Sequence, residues 1–173
     1  MKYTLTEVRP GDADAYVRHF NDKSISDSLL RVPYPYTQAH AAWWVKYANE
    51  TPLRTKTNKV IRGDSGELIG AIGVVSAFDG TEHKAEIGYW LSSQYRGKGI
   101  MGHAIDDFCY MLFTEFSVFR VYATPFLRNS ASHRILEKAG FSKEGVARCY
   151  HKKADEYIDA VIYSKSNSRN RNE

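Results

Sequence analysis

The segment Gln94-Tyr95-Arg96-Gly97-Lys98-Gly99-Ile100-Met101 constrains this chain more than any other. It follows an apolar run, Ile87-Gly88-Tyr89-Trp90-Leu91. It opens a stretch whose apolar residues Met101, Ala104, Ile105, Phe108, Leu112 and Phe116 keep to one helical face. A strand, a glycine-rich turn and a helix start, in that order, make an anion site. Glycine brings backbone close to a ligand without an intervening Cβ and adopts positive φ freely. The unpaired amides of the first helical turn then face the anion, helped by the helix dipole. Arg96 and Lys98 add two cations at the same place. The expectation is a phosphate-bearing cofactor held by Arg96, Gly97, Lys98, Gly99, Ile100 and Met101.

Spacing separates the candidate loops. A P-loop requires Gly-Lys followed by Ser or Thr, with a further Gly five residues before. Here Gly99 follows Lys98, and Ser92 stands at the position of that first Gly. Gly97, Gly99 and Gly102 spell the dinucleotide string G-x-G-x-x-G, but residues 119–124 contain no acidic residue to hold a ribose. The string also fits Q/R-x-x-G-x-G/A. An ordinary glycine-rich strand-to-helix turn would satisfy it as well.

A second block decides between these readings. After a strand-like run at residues 119–125 comes Asn129-Ser130-Ala131-Ser132, then Leu136, Gly140 and Phe141. Upstream lie Pro33-Tyr34-Pro35-Tyr36-Thr37 and Trp43-Trp44; downstream lie Gly145 and the run at 157–163. In this order the motifs resemble the RimJ/RimL-like branch of the GNAT superfamily, the ribosomal-protein-alanine N-acetyltransferases and their relatives. The resemblance spans roughly residues 3–164. It implies an α+β GNAT fold with a mixed, mostly antiparallel central sheet, splayed at its two middle strands, here 85–91 and 119–124. It also implies acetyl-CoA as acetyl donor, pantetheine lying in the splay, and transfer to a primary amine.

Local signals agree with that architecture. Residues 3–8, 59–62, 68–75, 146–151 and 157–163 read as further strands. Gly63-Asp64-Ser65-Gly66 suits a hairpin turn. Helices are expected after Pro10, after the N-cap Thr37, from the glycine loop to about Glu115, and from Ser130 to Ala139, about four in all. Gly140 is placed for a left-handed residue beyond the last helix, with Phe141 folding back on Leu136.

Length, 173 residues, fits a single domain, expected over residues 1–164. Residues 165–173 are polar and without aromatics, so a solvated, disordered tail is expected rather than an RNA contact. No apolar run approaches the roughly 20 residues of a membrane span, and the N-terminus lacks a signal-peptide core. A cytoplasmic protein with no membrane partner follows as the expectation, with Cys109 and Cys149 reduced. No His pair has metal-ligand spacing, so no metal is expected. Monomer and homodimer both remain open.

Acyl transfer to an amine needs the carbonyl polarised, the amine deprotonated and the leaving thiolate protonated. The resemblance implies that a backbone amide of Tyr89, Trp90 or Leu91 polarises the carbonyl. It assigns the thiolate's acid to Ser132, and gives Asn129 either a cofactor contact or a helix cap. Glu86 falls where some branches place a base. His151 stands near a position that RimL-like enzymes fill with glutamate, so it is the rival, and a water chain is a third route. Tyr34 and Tyr36 fall where the family builds its acceptor wall.

An α-amine titrates near 7.7–8 and a lysine amine near 10.4, so the α-amine needs less help and is the favoured acceptor. A protein N-terminal α-amine, attacked directly in a ternary complex, is therefore the expectation. A small amine (polyamine, amino acid or antibiotic) is the alternative within the enzyme class. A non-catalytic CoA-binding or RNA-associated module is the alternative outside it.

Overall fold

The structure, a computed structural model, describes residues 2–76 and 78–167. Seven strands form one sheet in the order β1-β2-β3-β4-β5-β7-β6. They are β1 (Thr4–Glu7), β2 (Asn58–Arg62), β3 (Leu68–Val74), β4 (Lys84–Leu91), β5 (Arg120–Ala123), β6 (Ser142–Lys153) and β7 (Glu156–Ser166). Six α-helices accompany them among the described residues: α1 (Ala13–Phe20), α2 (Lys23–Ser26), α3 (Gln38–Ala48), α4 (Pro52–Thr57), α5 (Ile100–Glu115) and α6 (Ser130–Lys138). The fold is α+β, as the sequence implies, with two helices more than expected. α2 and α4 span four and six residues, too short to show an apolar period. Each is started by a side-chain cap, Asp22 to the Ser24 amide and Thr51 to the Arg54 amide.

The chain divides into two compact units. The first holds the chain up to Gly73 together with Tyr89–Ile100; the second holds Val74–Gly88 and the chain from Met101 onward. β4 serves both, its residues 84–88 in the second and 89–91 in the first.

In the first unit β1, β2 and β3 pair antiparallel. The β2–β3 turn closes with the Gly66 amide on the Gly63 carbonyl, and Gly66 takes φ +83, the conformation that selects glycine there. Tyr16, Phe20, Ile25, Tyr36, Val60 and Trp90 belong to its core. Beside that core the Arg62 guanidinium grips both oxygens of Asp12 at 2.9 and 2.8 Å, a buried bidentate pair. Thr37 caps α3 by accepting from the His40 amide, while the Thr37 amide donates back to His40 Nδ1.

In the second unit β4 and β5 pair in parallel through three positions, Lys84 with Arg120, Ala85 with Val121 and Glu86 with Tyr122. A parallel pair needs a crossover, and α5 supplies it. The α5 residues Met101, Ala104, Ile105, Phe108 and Leu112 are buried on the single face expected from their spacing, with Cys109 beside them, whereas Phe116 lies just past the helix end and is half-buried. The pairing ends at Glu86 and Tyr122, whereas β4 runs on to Leu91. On its other side β4 lies antiparallel to β3: Ser92 donates to Ile69, and Val75 donates to Glu86.

α6 ends as expected. Gly140 takes φ +76, its amide bonds the Glu137 carbonyl, and the Phe141 amide bonds Leu136, the two hydrogen bonds of a Schellman motif. The strand limits differ at the end of the chain. β7 continues to Ser166, so Lys165 and Ser166, expected in the tail, pair with Val121 and Arg120. Lys165 is also held by Asp106 and the Ala139 carbonyl, contacts set by tertiary partners and invisible to composition. The tail from 168 to 173 lies outside the described residues.

Candidate active site

The glycine loop belongs to the first unit. After β4 a turn of 3-10 helix, Ser93–Tyr95, leads into extended Arg96, and Gly97 and Gly99 then take φ +76 and +78. α5 starts at the next residue, Ile100. Two left-handed positions separated by one residue bend the backbone sharply between β4 and α5, a conformation that selects glycine at both. The space where a Cβ of Gly97 would stand is open to at least 4 Å. The amides of a helix's first turn have no partner within the helix.

The two cations differ. Arg96 is engaged: Nε donates to the Leu91 carbonyl at 3.1 Å, and a terminal nitrogen donates to the Ser24 carbonyl at 3.2 Å. Its fork thus ties the end of β4 to α2. Lys98 is exposed, with Nζ 5.3 Å from the centroid of the Tyr95 ring, and Tyr95 donates its hydroxyl to Glu67 at 3.0 Å. Ser93 reaches Asp22 Oδ2 at 3.5 Å, a second thread from the loop to the N-cap of α2.

Behind the loop, β4 is anchored by the Trp90 ring, whose centroid lies 4.9 Å from Phe20, 5.3 Å from His19 and 6.0 Å from Tyr16. β3 passes close: a Cβ on Gly70 would stand 2.5 Å from the Trp90 carbonyl oxygen. Leu91 is buried and Tyr89 half-buried. His19 meets the Leu68 carbonyl through Nε2 at 3.0 Å, and burial lowers its pKa, favouring the neutral ring.

A polar cluster belongs to the second unit. Glu86, opposite Tyr122 in the β4–β5 register, accepts a hydrogen bond from Thr124 Oγ1 at 2.5 Å. The Thr124 carbonyl lies 2.7 Å from His151 Nε2. Burial, then the nearby charges of Glu86 and Tyr150, raise the pKa of Tyr122. The rings of Tyr150 and Phe126 flank His151 at 4.9 and 5.4 Å. β6 is irregular between Ala147 and His151, where Cys149 takes φ +49 and its amide donates to Asp159. Such an irregularity re-aims the side chains that follow it. The two residues weighed in the sequence as rival bases, Glu86 and His151, therefore meet on one residue that the sequence reading passed over, Thr124. No local pattern marks it, because its importance comes from the β4–β5 register.

Asn129 is the N-cap of α6, its Oδ1 accepting from the Ser132 amide at 3.1 Å. Ser132 itself is buried in the first turn, 8% exposed. Tyr36 is buried in the first unit's core, 4.9 Å from Phe20, and burial pushes its hydroxyl up to about 12. Tyr34 is 54% exposed, with Lys23 over its ring. Cys109 is buried and its thiol is pushed up to about 12 by burial, whereas Cys149 is exposed. Among the described residues no group of three His, Cys, Asp or Glu side chains could hold a metal ion, and no helix is long and apolar enough to cross a membrane.

Comparison with known proteins adds to this geometry. The chain is 27% identical over 165 residues to the uncharacterized N-acetyltransferase p20 of Bacillus licheniformis, covering 94% of this chain and 92% of that protein. Over 88 residues, half of this chain and 45% of the relative, it is 32% identical to the [ribosomal protein uS5]-alanine N-acetyltransferase of Escherichia coli. Its fold matches that of RimJ from Mycobacterium smegmatis, solved with CoA-disulfide, with TM-score 0.82 at 22% identity over 96% of this chain and 83% of that one. Residues 2–142 match the acetyltransferase (GNAT) domain, so a loop of two left-handed glycines opening α5 and a β4–β5 pair that ends early are, here, features of an N-acetyltransferase: the chain belongs to the GNAT family.

Proposed function

We propose that the protein moves the acetyl group of acetyl-CoA to a primary amine, the α-amine of a protein N-terminus, by direct attack in a ternary complex. The loop of residues 96–101 carries this reading. Gly97 and Gly99 take positive φ, and the space that a Cβ on Gly97 would fill is open, as a backbone cradle for pyrophosphate requires. In this reading the amides of the loop and of the first turn of α5, with Lys98, hold the pyrophosphate, and Arg96 holds the loop. A backbone amide among Tyr89, Trp90 and Leu91 polarises the thioester carbonyl. Glu86 and His151 receive the amine proton, directly or through water, and Ser132 returns a proton to the departing thiolate.

Direct attack is favoured by Cys109. Its buried thiol, pushed up to about 12, stays protonated and un-nucleophilic at neutral pH. The relatives named for ribosomal-protein alanine support a peptide acceptor, and the titration of an α-amine near 7.7–8 makes it the easier amine to deprotonate. A small amine is the second reading. The Glu86 carboxylate opposite the Tyr122 ring would receive an ammonium of either origin. Cytoplasmic location accompanies both.

The experiment is a panel assay. Protein and acetyl-CoA are incubated with peptides of varied first residue, free amino acids and polyamines, and the acetylated atom is found by mass spectrometry. Acetylation of peptide α-amines ahead of small amines is the expected result; acetylation of small amines alone would replace the first reading by the second.

A further inference from the structure

Thr124 follows directly after β5 and is buried, with 9% of its surface exposed. It makes two hydrogen bonds of opposite sense. Its hydroxyl donates to Glu86 Oε1 at 2.5 Å, and its carbonyl faces His151 Nε2 at 2.7 Å. We propose that Thr124 is a positioning residue that makes Glu86 and His151 one proton-handling unit instead of two alternatives.

The chemistry of the donors carries this. A hydroxyl has one proton, and here it is spent on the carboxylate, which fixes Oε1 and leaves Oε2 as the oxygen that Thr124 does not engage. Glutamate otherwise has three side-chain torsions to distribute, and a base must lie within hydrogen-bond reach of the proton it takes. A carbonyl can only accept, so His151 Nε2 carries a proton and Nδ1 is the nitrogen able to take one. The His151 ring is held between Tyr150 and Phe126. Glu86 Oε2 and His151 Nδ1 are thus the two acceptor atoms left by a single residue. The backbone around Thr124 is fixed too, because Val161 donates to the Pro125 carbonyl at 3.0 Å and Phe126 bridges to Ala160 on β7. The bland account is that Glu86 merely satisfies a buried hydroxyl. It makes no demand on turnover.

This inference rests on the reading of Glu86 as proton acceptor, and the test keeps the two apart. Steady-state kinetics are measured on Glu86→Gln, Thr124→Val, Thr124→Ser and the Glu86→Gln/Thr124→Val double variant, with the best acceptor from the panel. Glu86→Gln should lower kcat by about 10²- to 10⁴-fold, the range of a lost general base. Thr124→Val should lower kcat about tenfold with the KM for acetyl-CoA unchanged, and Thr124→Ser should recover to within about twofold of wild type. In the Glu86→Gln background Thr124→Val should cost nothing more, because the residue acts through the missing carboxylate.

Wild-type kcat in Thr124→Val, or an equal loss in both backgrounds, would overturn the inference while leaving Glu86 in place. Wild-type kcat in Glu86→Gln would overturn both. Should Thr124→Val fail to fold, the Ser variant and the imidazole ¹⁵N shifts of His151 decide. A protonated Nε2 in wild type and Ser variant, with turnover kept in the latter, supports the unit; an Nδ1–H tautomer overturns it.

Discussion

Arg96 donates its Nε to the Leu91 carbonyl at 3.1 Å, closing the glycine loop on the strand from which it springs. The same guanidinium reaches the carbonyl and hydroxyl of Ser24 at 3.2 and 3.4 Å. An arginine beside a phosphate loop invites the reading that its charge meets the phosphate. The observed contacts instead employ its planar fork, whose geometry a lysine ammonium cannot reproduce.

Arg96→Lys should therefore weaken CoA binding nearly as much as Arg96→Ala, about tenfold in Kd for the loss of roughly 1.4 kcal/mol of loop organisation. Lys98→Ala should lose a screened surface charge, with a binding deficit that fades between 50 and 500 mM salt. Calorimetric titration with CoA at low and high salt separates the three variants. If Arg96→Lys binds like wild type, charge and not the fork is what the loop needs.

Gly99 gives a paired test. At φ +78 any side chain is strained, by about 1–2 kcal/mol for an ordinary L-residue. Gly99→Ala carries that strain without charge, and Gly99→Asp adds an anion in the proposed pyrophosphate cradle. Both should melt a few degrees early. The thermal shift on adding CoA should shrink in the alanine variant and vanish in the aspartate variant. Equal shifts in the two would mean that the loop meets no anion.

These loop features were legible because they are local. The glycine string, the Thr37 and Asn129 caps and the Gly140–Phe141 helix end each lie within a few residues of chain. What was hidden depends on distant pairing. Thr124 meets Glu86 across 38 residues and His151 across 27, through the β4–β5 register and after an irregularity in β6 that no residue pattern announces. Arg96 was legible as a cation, but its partners Leu91 and Ser24 offer only backbone carbonyls and one hydroxyl, which composition never marks. Tyr36 falls in the acceptor wall by resemblance alone, and an aromatic run cannot say which ring turns into the core, as that of Tyr36 does.

Acid stability should depend on Glu144. Its carboxylate accepts two hydrogen bonds from Arg120 and one from Ser164, and these hold its pKa down to about 2 against an ordinary 4.5. A depressed folded-state pKa gives stability that is present above the unfolded value and lost as pH falls through the folded one. The difference in stability between wild type and Glu144→Gln should be full at pH 6 and shrink between about 4.5 and 2. With 39% of the side chain exposed, the effect is moderated by solvent. Urea unfolding across this range measures it; a difference that is flat from pH 6 to 2 would remove Glu144 from the acid transition.

Ser132 separates capping from chemistry. Asn129 supplies the cap of α6, so Ser132→Ala should leave the cap intact and cost no more than about 0.5–1.5 kcal/mol, the net worth of one buried hydroxyl's hydrogen bond. As the proposed acid for the thiolate, the same hydroxyl should be worth about 10- to 1,000-fold in kcat. Asn129→Ala should lose about 1 kcal/mol of stability with turnover kept. Stopped turnover and melting curves on one preparation distinguish the pair.

The most direct measurement is release of free CoA thiol from acetyl-CoA as acceptor amine is added. Wild type should release thiol in proportion to α-acetylated peptide formed, with no release in the absence of amine, and Gly99→Asp should abolish it. If CoA shifts the melting temperature while thiol release stays at the amine-free background for every class of amine, the assignment of acetyl transfer to this chain is wrong.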